Sequence, residues 1–283
     1  MTRVLRSWLY VPGHRAERVA KALVTGADAV VVDLEDAVPP DRKSDAREAV
    51  AAAVSAVDTA VAADGPQVWV RVNDPDGPWG EADLDAVTGS GIAGVRLPRS
   101  ADPDAVRRVA ERTGLPLQLV IETAAGLARA VDLAAAHPLV AGIGLGEADL
   151  AADLRLVSDA GLEWARGWVV VAARAAGLPS PVQSVWTDVA DLDGLRASCE
   201  RGRATGFVGR SVVHPRQLPV VHDVYTPSPE QVRKATAVVR TADEARARGE
   251  VAVLDADGRF VDPAVVERAR VVLDLAVLTG GDR

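Results

Sequence analysis

Leu117-Gln118-Leu119-Val120-Ile121-Glu122-Thr123 and, after a helix-like segment, Gly142-Ile143-Gly144-Leu145-Gly146-Glu147-Ala148-Asp149 are the blocks that decide the fold. Each is an apolar run ending in a carboxylate. In a parallel sheet both run-ends lie on the same, C-terminal side, so Glu122 and Asp149 face each other across one mouth. Two converging carboxylates suit a hard divalent cation such as Mg2+. That ion takes one or two protein carboxylates and leaves its other positions to water and substrate oxygens.

The same alternation extends in both directions. Strand-like runs fall at Trp8–Val11, Ala29–Asp33, Val68–Val72, Gly94–Leu97, Leu117–Ile121, Val140–Leu145, Val182–Trp186 and Gly206–Val208. Between them lie amphipathic stretches at Arg15–Val24, Asp45–Val61, Pro103–Arg112, Ala125–Ala135, Leu162–Ala176 and Leu192–Arg203. Strands alternating with helices predict an α/β fold, a (β/α)8 TIM barrel, over residues 1–222. An open doubly wound sheet is the alternative, but Pro12-Gly13-His14 after the first strand is no dinucleotide-binding turn.

The pattern changes after His214-Pro215. Thr226-Pro227-Ser228-Pro229 breaks the chain and caps a long polar helix over Glu230–Arg248. A hairpin follows, Val251–Leu254 and Arg259–Val261 around Asp255-Ala256-Asp257-Gly258, and Asp262-Pro263 opens a last helix through Leu278. Residues 223–283 carry too little apolar surface to fold alone. They are expected to pack as an extension on the barrel or on a neighbouring subunit.

Composition narrows the function. The 283 residues suit one barrel, 48% of them are hydrophobic, and the net charge of −8 argues against a nucleic-acid partner. Cys199 is the single cysteine, so no internal disulfide forms and a reducing cytoplasm is expected. Leu9-Tyr10-Val11 is too short for a signal-peptide core, and no apolar run is long enough to span a membrane. Lysine occurs only at Lys21, Lys43 and Lys234. Arginine in place of lysine therefore carries little weight.

Barrel chemistry sits at the C-terminal strand ends. Those ends read Asp33-Leu34-Glu35-Asp36, Arg71-Val72-Asn73, Leu97-Pro98-Arg99, Glu122 and Asp149. No lysine stands there to form a Schiff base, and no His or Cys pair suggests zinc.

These ends also carry a resemblance. Leu9-Tyr10-Val11-Pro12-Gly13, Asp33-Leu34-Glu35-Asp36-Ala37-Val38, Lys43 with Ala46-Arg47, and Val70-Arg71-Val72-Asn73 closely resemble the citrate lyase β-subunit family. So do Ile121-Glu122-Thr123-Ala124-Ala125-Gly126, Ala148-Asp149-Leu150, Gly206-Phe207-Val208-Gly209, His214-Pro215-Arg216-Gln217 and Gly258-Arg259-Phe260-Val261-Asp262. The likeness spans nearly the whole chain in order. It points to the malyl-CoA and citramalyl-CoA lyase group of the HpcH/HpaI aldolase superfamily, which includes related thioesterases. Class II pyruvate aldolases share the barrel but have Glu-His where this chain has Glu35-Asp36.

The resemblance implies Mg2+-dependent cleavage or formation of a carbon–carbon bond in a 3-hydroxyacyl thioester of a small diacid, such as malyl-, citramalyl- or citryl-CoA. A thioesterase on the same ligand, or a non-catalytic thioester-binding protein, is the alternative. By similarity Glu122 and Asp149 ligate Mg2+, while Glu35 and Asp36 hydrogen-bond the waters around it. Backbone N–H groups of Gly146, Glu147 and Ala148 hold the acid's carboxylate, and Arg71 binds the thioester and stabilises its enolate. Asp262, from an adjoining subunit of a homotrimer or hexamer, transfers the proton. Arg15 and Lys21 meet coenzyme A phosphates. The partners are thus a coenzyme A (or acyl-carrier) thioester and a small 2-keto acid.

Simpler roles compete with these. Asp149 could cap a short helix, and Asp262 before Pro263 is a sufficient cap by itself. Arg71 could pair with the acidic cluster, and His214 could satisfy backbone groups. Three residues depart from the family pattern. Arg99 and Arg210 stand where lysine is usual, and Ser184 stands where an aspartate is common, which leaves the acid open.

Overall fold

The computed structural model describes residues 4–60, 65–250, 253–254, 258 and 260–278. They fall into two compact units, Arg6–His222 and a smaller one made of Val4–Leu5 with the segment from Asp223 onward.

The larger unit alternates β1 (Ser7–Pro12), α1 (Ala16–Ala22), β2 (Ala29–Asp33), α2 (Lys43–Ala60), β3 (Gln67–Arg71), α3 (Gly80–Val87), β4 (Gly94–Leu97) and α4 (Pro103–Thr113). It continues through β5 (Leu117–Ile121), α5 (Ala124–Ala128), α6 (Ala130–Ala134), β6 (Val140–Leu145), α7 (Glu147–Asp153), α8 (Glu163–Ala175), α9 (Leu192–Ala204), β7 (Arg210–Val212) and α10 (Leu218–Tyr225). The strands form one seven-stranded parallel sheet in the order β6-β5-β4-β3-β2-β1-β7. Parallel sheets are covered on both faces, which is why β2, β4 and β5 read as continuous buried runs.

Local chemistry sets the boundaries. At α4, Asp102 accepts hydrogen bonds from the Asp104 and Ala105 N–H groups, Pro103 takes the first helical position, and Gly114 ends the helix at φ 64°. At the foot of the sheet, Arg6 grips the buried Asp28 carboxylate through Nε at 2.8 Å and Nη2 at 2.9 Å. Burial raises the Asp28 pKa, but the Arg6 hydrogen bonds outweigh it and hold the carboxyl below its ordinary value.

Three expectations need correction. Val182–Trp186 is no strand: only Gln183 makes a bridge, to Arg210. The last strand lies at Arg210–Val212, not Gly206–Val208, because Gly206 adopts φ 104° and ends the turn after α9. The helix expected over Ala125–Ala135 is broken into α5 and α6 at Arg129, whose ψ of 15° interrupts the helical geometry. The expected eight-strand ring is therefore described as a seven-stranded parallel sheet with one bridging residue beyond β7.

The smaller unit holds α11 (Pro229–Ala247), the antiparallel pair β8 (Val253–Leu254) and β9 (Phe260–Val261), and α12 (Pro263–Leu278). Ser228 and Gln231 form a capping box at α11, and α11 packs on α12. Residues 255–257 and 259, in the expected turn, lie outside the described residues. No described helix is long and apolar enough to cross a membrane.

Candidate active site

Strand register brings the first charged group together. Asp33 ends β2 opposite Arg71, which ends β3. Side chains opposite each other in a parallel pair share a face, so the carboxylate meets the guanidinium. Arg71 donates from Nε to Asp33 Oδ1 at 2.8 Å and from Nη2 to Asp33 Oδ2 at 2.7 Å. This two-pronged fit is the geometry arginine provides and lysine does not. Arg71 Nη1 lies 2.7 Å from Glu35 Oε2 and 3.4 Å from Asp36 Oδ2. The ion-pair role anticipated for Arg71 is therefore present, with Asp33 as its main partner.

One guanidinium cannot satisfy three carboxylates equally. Burial, then the neighbouring charges of Asp36, Glu122 and Asp33, push the Glu35 carboxyl up to about 8 against the pull of Arg71. Asp36 is exposed. Lys43, from the same sequence motif, fastens this corner by donating to the Leu34 and Glu35 carbonyls at 2.6 and 2.8 Å and to Asn73 Oδ1 at 2.8 Å.

Glu122 follows β5 and is 6% exposed. It accepts a hydrogen bond from the Arg99 N–H at 2.6 Å, and Arg99 holds a φ of 50°, a region few side-chain-bearing residues adopt. Burial raises the Glu122 pKa, and the charge of Asp149 raises it further, against the Arg99 hydrogen bond. Asp149 is the third residue of α7, whose N-cap is Gly146, so Asp149 does not cap this helix. Gly146 is required where it stands, because a Cβ there would collide with Glu122 Oε2.

Two carboxylates, one of them held above its ordinary pKa by burial and by its neighbour's charge, are a donor set that fits Mg2+. Among the described residues no group of three or more His, Cys, Asp or Glu forms a complete cage. A cation there would keep positions for water or substrate.

Glu122, Asp149, Arg71, Asp36, Gly146, Glu147 and Ala148 all line one cavity of about 520 Å3. Glu35 stands beside it, ion-paired to Arg71. The Gly146 N–H is committed to the Ile121 carbonyl at 3.0 Å, and the Glu147 N–H points to Ser184 Oγ at 3.4 Å. Arg166 anchors Glu147 through two bonds, Nη2 at 2.7 Å and Nε at 3.0 Å.

Lys21 lines a second cavity, of about 400 Å3, with Arg18 and His214. Arg15 lines neither of these cavities; it precedes α1 and donates to His14. Asp262 belongs to the smaller unit, where it caps α12 by accepting from the Val265 N–H at 2.8 Å. His214 also caps, accepting from the Arg216 N–H, so its backbone-satisfying role holds.

Reading strand ends alone misses three residues that line the main cavity: Tyr10, Arg96 and Ser211. An arginine inside the otherwise apolar β4, Gly94-Val95-Arg96-Leu97, is the signal that would have found one of them.

Residues 6–215 match the family model of HpcH/HpaI aldolase/citrate lyase. The chain is 38% identical over 280 residues to a (3S)-malyl-CoA thioesterase of Cereibacter sphaeroides, covering 95% of this chain and 93% of the relative. It is 35% identical over 294 residues to the citrate lyase subunit beta of Escherichia coli, covering 99% of this chain and 95% of that one. Among solved structures it resembles the protein CitE of Mycobacterium tuberculosis in complex with magnesium, acetoacetate and coenzyme A. That match has a TM-score of 0.78 at 30% identity, over 96% of this chain and 98% of the other. With a family match across the larger unit and relatives similar along nearly their whole length, this chain belongs to the HpcH/HpaI aldolase/citrate lyase family.

Proposed function

We propose that the chain is a Mg2+-dependent carbon–carbon lyase acting on a coenzyme A thioester of a small 3-hydroxy diacid. One observation carries this reading: Glu122, Asp149 and Arg71 line a single cavity, with the Glu122 carboxyl held above its ordinary pKa by burial and by the charge of Asp149. Side chains from β1 to β7 and Ser184 line that cavity, which supports reading the sheet as a barrel that closes without a hydrogen-bonded ladder at one seam.

Glu122 and Asp149 would hold Mg2+, which supplies a Lewis acid for the oxygens of the acid portion. Cleavage breaks the bond between C2 and C3 of the thioester, releases the keto acid and leaves negative charge on the thioester fragment. Arg71 offsets that charge; Asp33 fixes its orientation, so little reorganisation accompanies the reaction. Asp262 of a neighbouring subunit would take the C3 hydroxyl proton as the keto group forms and return it to C2, which completes the released thioester. Glu35 and Asp36 would orient water around the cation. The Ala148 N–H, and the Glu147 N–H if it leaves Ser184 Oγ, would hold the acid's carboxylate. Lys21, with Arg15 nearby in sequence, would meet the coenzyme A phosphates, and the similarity to a coenzyme A complex supports a coenzyme A ligand.

The likeness to (3S)-malyl-CoA thioesterases favours a second reading, in which water attacks the thioester. Malyl-, citramalyl- and citryl-CoA incubated with enzyme and Mg2+ separate the two by product mass. A keto acid with a new acyl-CoA is expected; free coenzyme A with an intact hydroxy acid would replace the lyase by the thioesterase. Glu122→Gln removes one anionic ligand at little change in volume and should abolish turnover with the fold intact. Full activity of the wild type in metal-free buffer would remove the metal from either reading.

A further inference from the structure

Arg96 is 2% exposed and lines the main cavity, and its Nε and Nη1 have no hydrogen-bond partner. Its neighbour in register is Arg71, so two guanidinium groups stand side by side on adjacent strands. Arg71 is paired with Asp33, with Glu35 and Asp36 also within reach. No carboxylate lies within ion-pairing distance of Arg96 among the described residues. The rings of Trp8 and Tyr10 approach it at 5.4 Å each, but they cover its faces. Guanidinium N–H groups point outward in the plane, so a stacked ring leaves them without an acceptor.

Ser211, on β7 beside Trp8, is a second buried polar group lining the same cavity, and its hydroxyl has no partner. A buried unpaired cation is costly, and buried donors left unsatisfied are rare. Here two occur in the wall of one cavity that also holds the carboxylates of Glu122 and Asp149.

We infer that Arg96 and Ser211 form an anion subsite that binds a second carboxylate on the acid portion of the substrate. This rests on the lyase reading above. The keto-acid end would face the Mg2+ that Glu122 and Asp149 would hold, and the far carboxylate accepts from Arg96 and the Ser211 hydroxyl. The subsite selects keto acids with two carboxylates over those with one, so among malyl-, citramalyl- and citryl-CoA it favours citryl-CoA, whose released keto acid carries two.

Calorimetric titration of the full chain with Mg2+ tests this, using pyruvate as the one-carboxylate probe and oxaloacetate and 2-oxoglutarate as two-carboxylate probes of different reach. At least one dicarboxylate is expected to bind ~10-fold or more tightly than pyruvate, the scale of a charge-assisted contact. Arg96→Met should erase that preference and leave pyruvate within about twofold of wild type. Its melting temperature should not fall, because the change removes a buried unpaired cation. Equal binding of all three acids by the wild type would overturn the subsite and leave the lyase reading standing. So would equal weakening of all three in Arg96→Met. Binding of none of the acids in Mg2+ would remove the chelation site, and the subsite with it.

Discussion

Arg71 and Arg96 occupy matched positions on neighbouring strands, yet their surroundings assign them different work. Arg71 has both prongs of its fork on Asp33, which fixes its plane and leaves Nη1 near Glu35 and Asp36. Arg71→Lys keeps the charge but cannot hold Asp33 at two points. The kcat should fall by ~10²-fold or more with the substrate that proves active, as for loss of a preorganised donor. An unchanged kcat with a raised KM would show that Arg71 binds only the ground state. Glu35 offers a test through pH. Its pKa is pushed up to about 8 from an ordinary 4.5, chiefly by burial. Between those values the folded protein retains a proton that the unfolded chain has released, so stability falls as pH rises through that window. In metal-free protein, Glu35→Gln should therefore melt higher than wild type by about 3 °C or more near pH 8, and the gain should vanish towards pH 4. A gain that does not vary with pH would show that charge at Glu35 is not the cause.

At the scale of elements, the corner between β6 and α7 places the acidic pair. Gly146 lets β6 run close under Glu122, and Gly146→Ala would drive a methyl group into that carboxylate. The φ of −94° at Gly146 is open to any residue, so the effect is steric only. A ~10- to 100-fold loss of Mg2+ affinity is expected by calorimetry, with little change in melting temperature. Unchanged affinity would mean that Glu122 is not a ligand. The strands from Trp8 to Leu145 were legible in the sequence to within a residue, because each is a buried run bounded by turn residues. Glu122 and Asp149 were legible as carboxylates ending such runs. The region after α8 was not: Gln183 and Ser184 interrupt any apolar run, and Arg210 begins a strand only because β1 lies beside it. Register was equally hidden. Nothing in Asp33-Leu34-Glu35-Asp36 says that Asp33 is the acid opposite Arg71. Arg96 escaped because it lies within β4, not at its end.

For the whole molecule the residue to test is Asp262, which caps α12 in the smaller unit and is proposed to serve a neighbouring subunit's cavity. Glu122→Gln and Asp262→Asn, each expected to be inactive alone, can be co-expressed in equal amounts so that subunits mix at random. A site drawing Glu122 from one chain and Asp262 from the next is intact with a probability of about one quarter, so about a quarter of wild-type activity should return. No recovery would place Asp262 in its own chain's site. An active Asp262→Asn would reduce it to a cap, since asparagine caps nearly as well. The sheet order itself has a consequence for motion. Residues Pro181–Gln183 hydrogen-bond towards Val208–Ser211, while β6 ends the sheet on the other side, so the wall between β6 and Ser184 is joined by packing and the Glu147–Ser184 hydrogen bond instead of strand pairing. A fluctuation there separates Ser184 from the Gly146–Asp149 corner without breaking a ladder. Deuterium uptake should be fastest along this line, with 140–150 and 181–188 labelling together ahead of β2 and β3. Cross-linking the seam would then slow that labelling while leaving the equilibrium affinity for small acids intact.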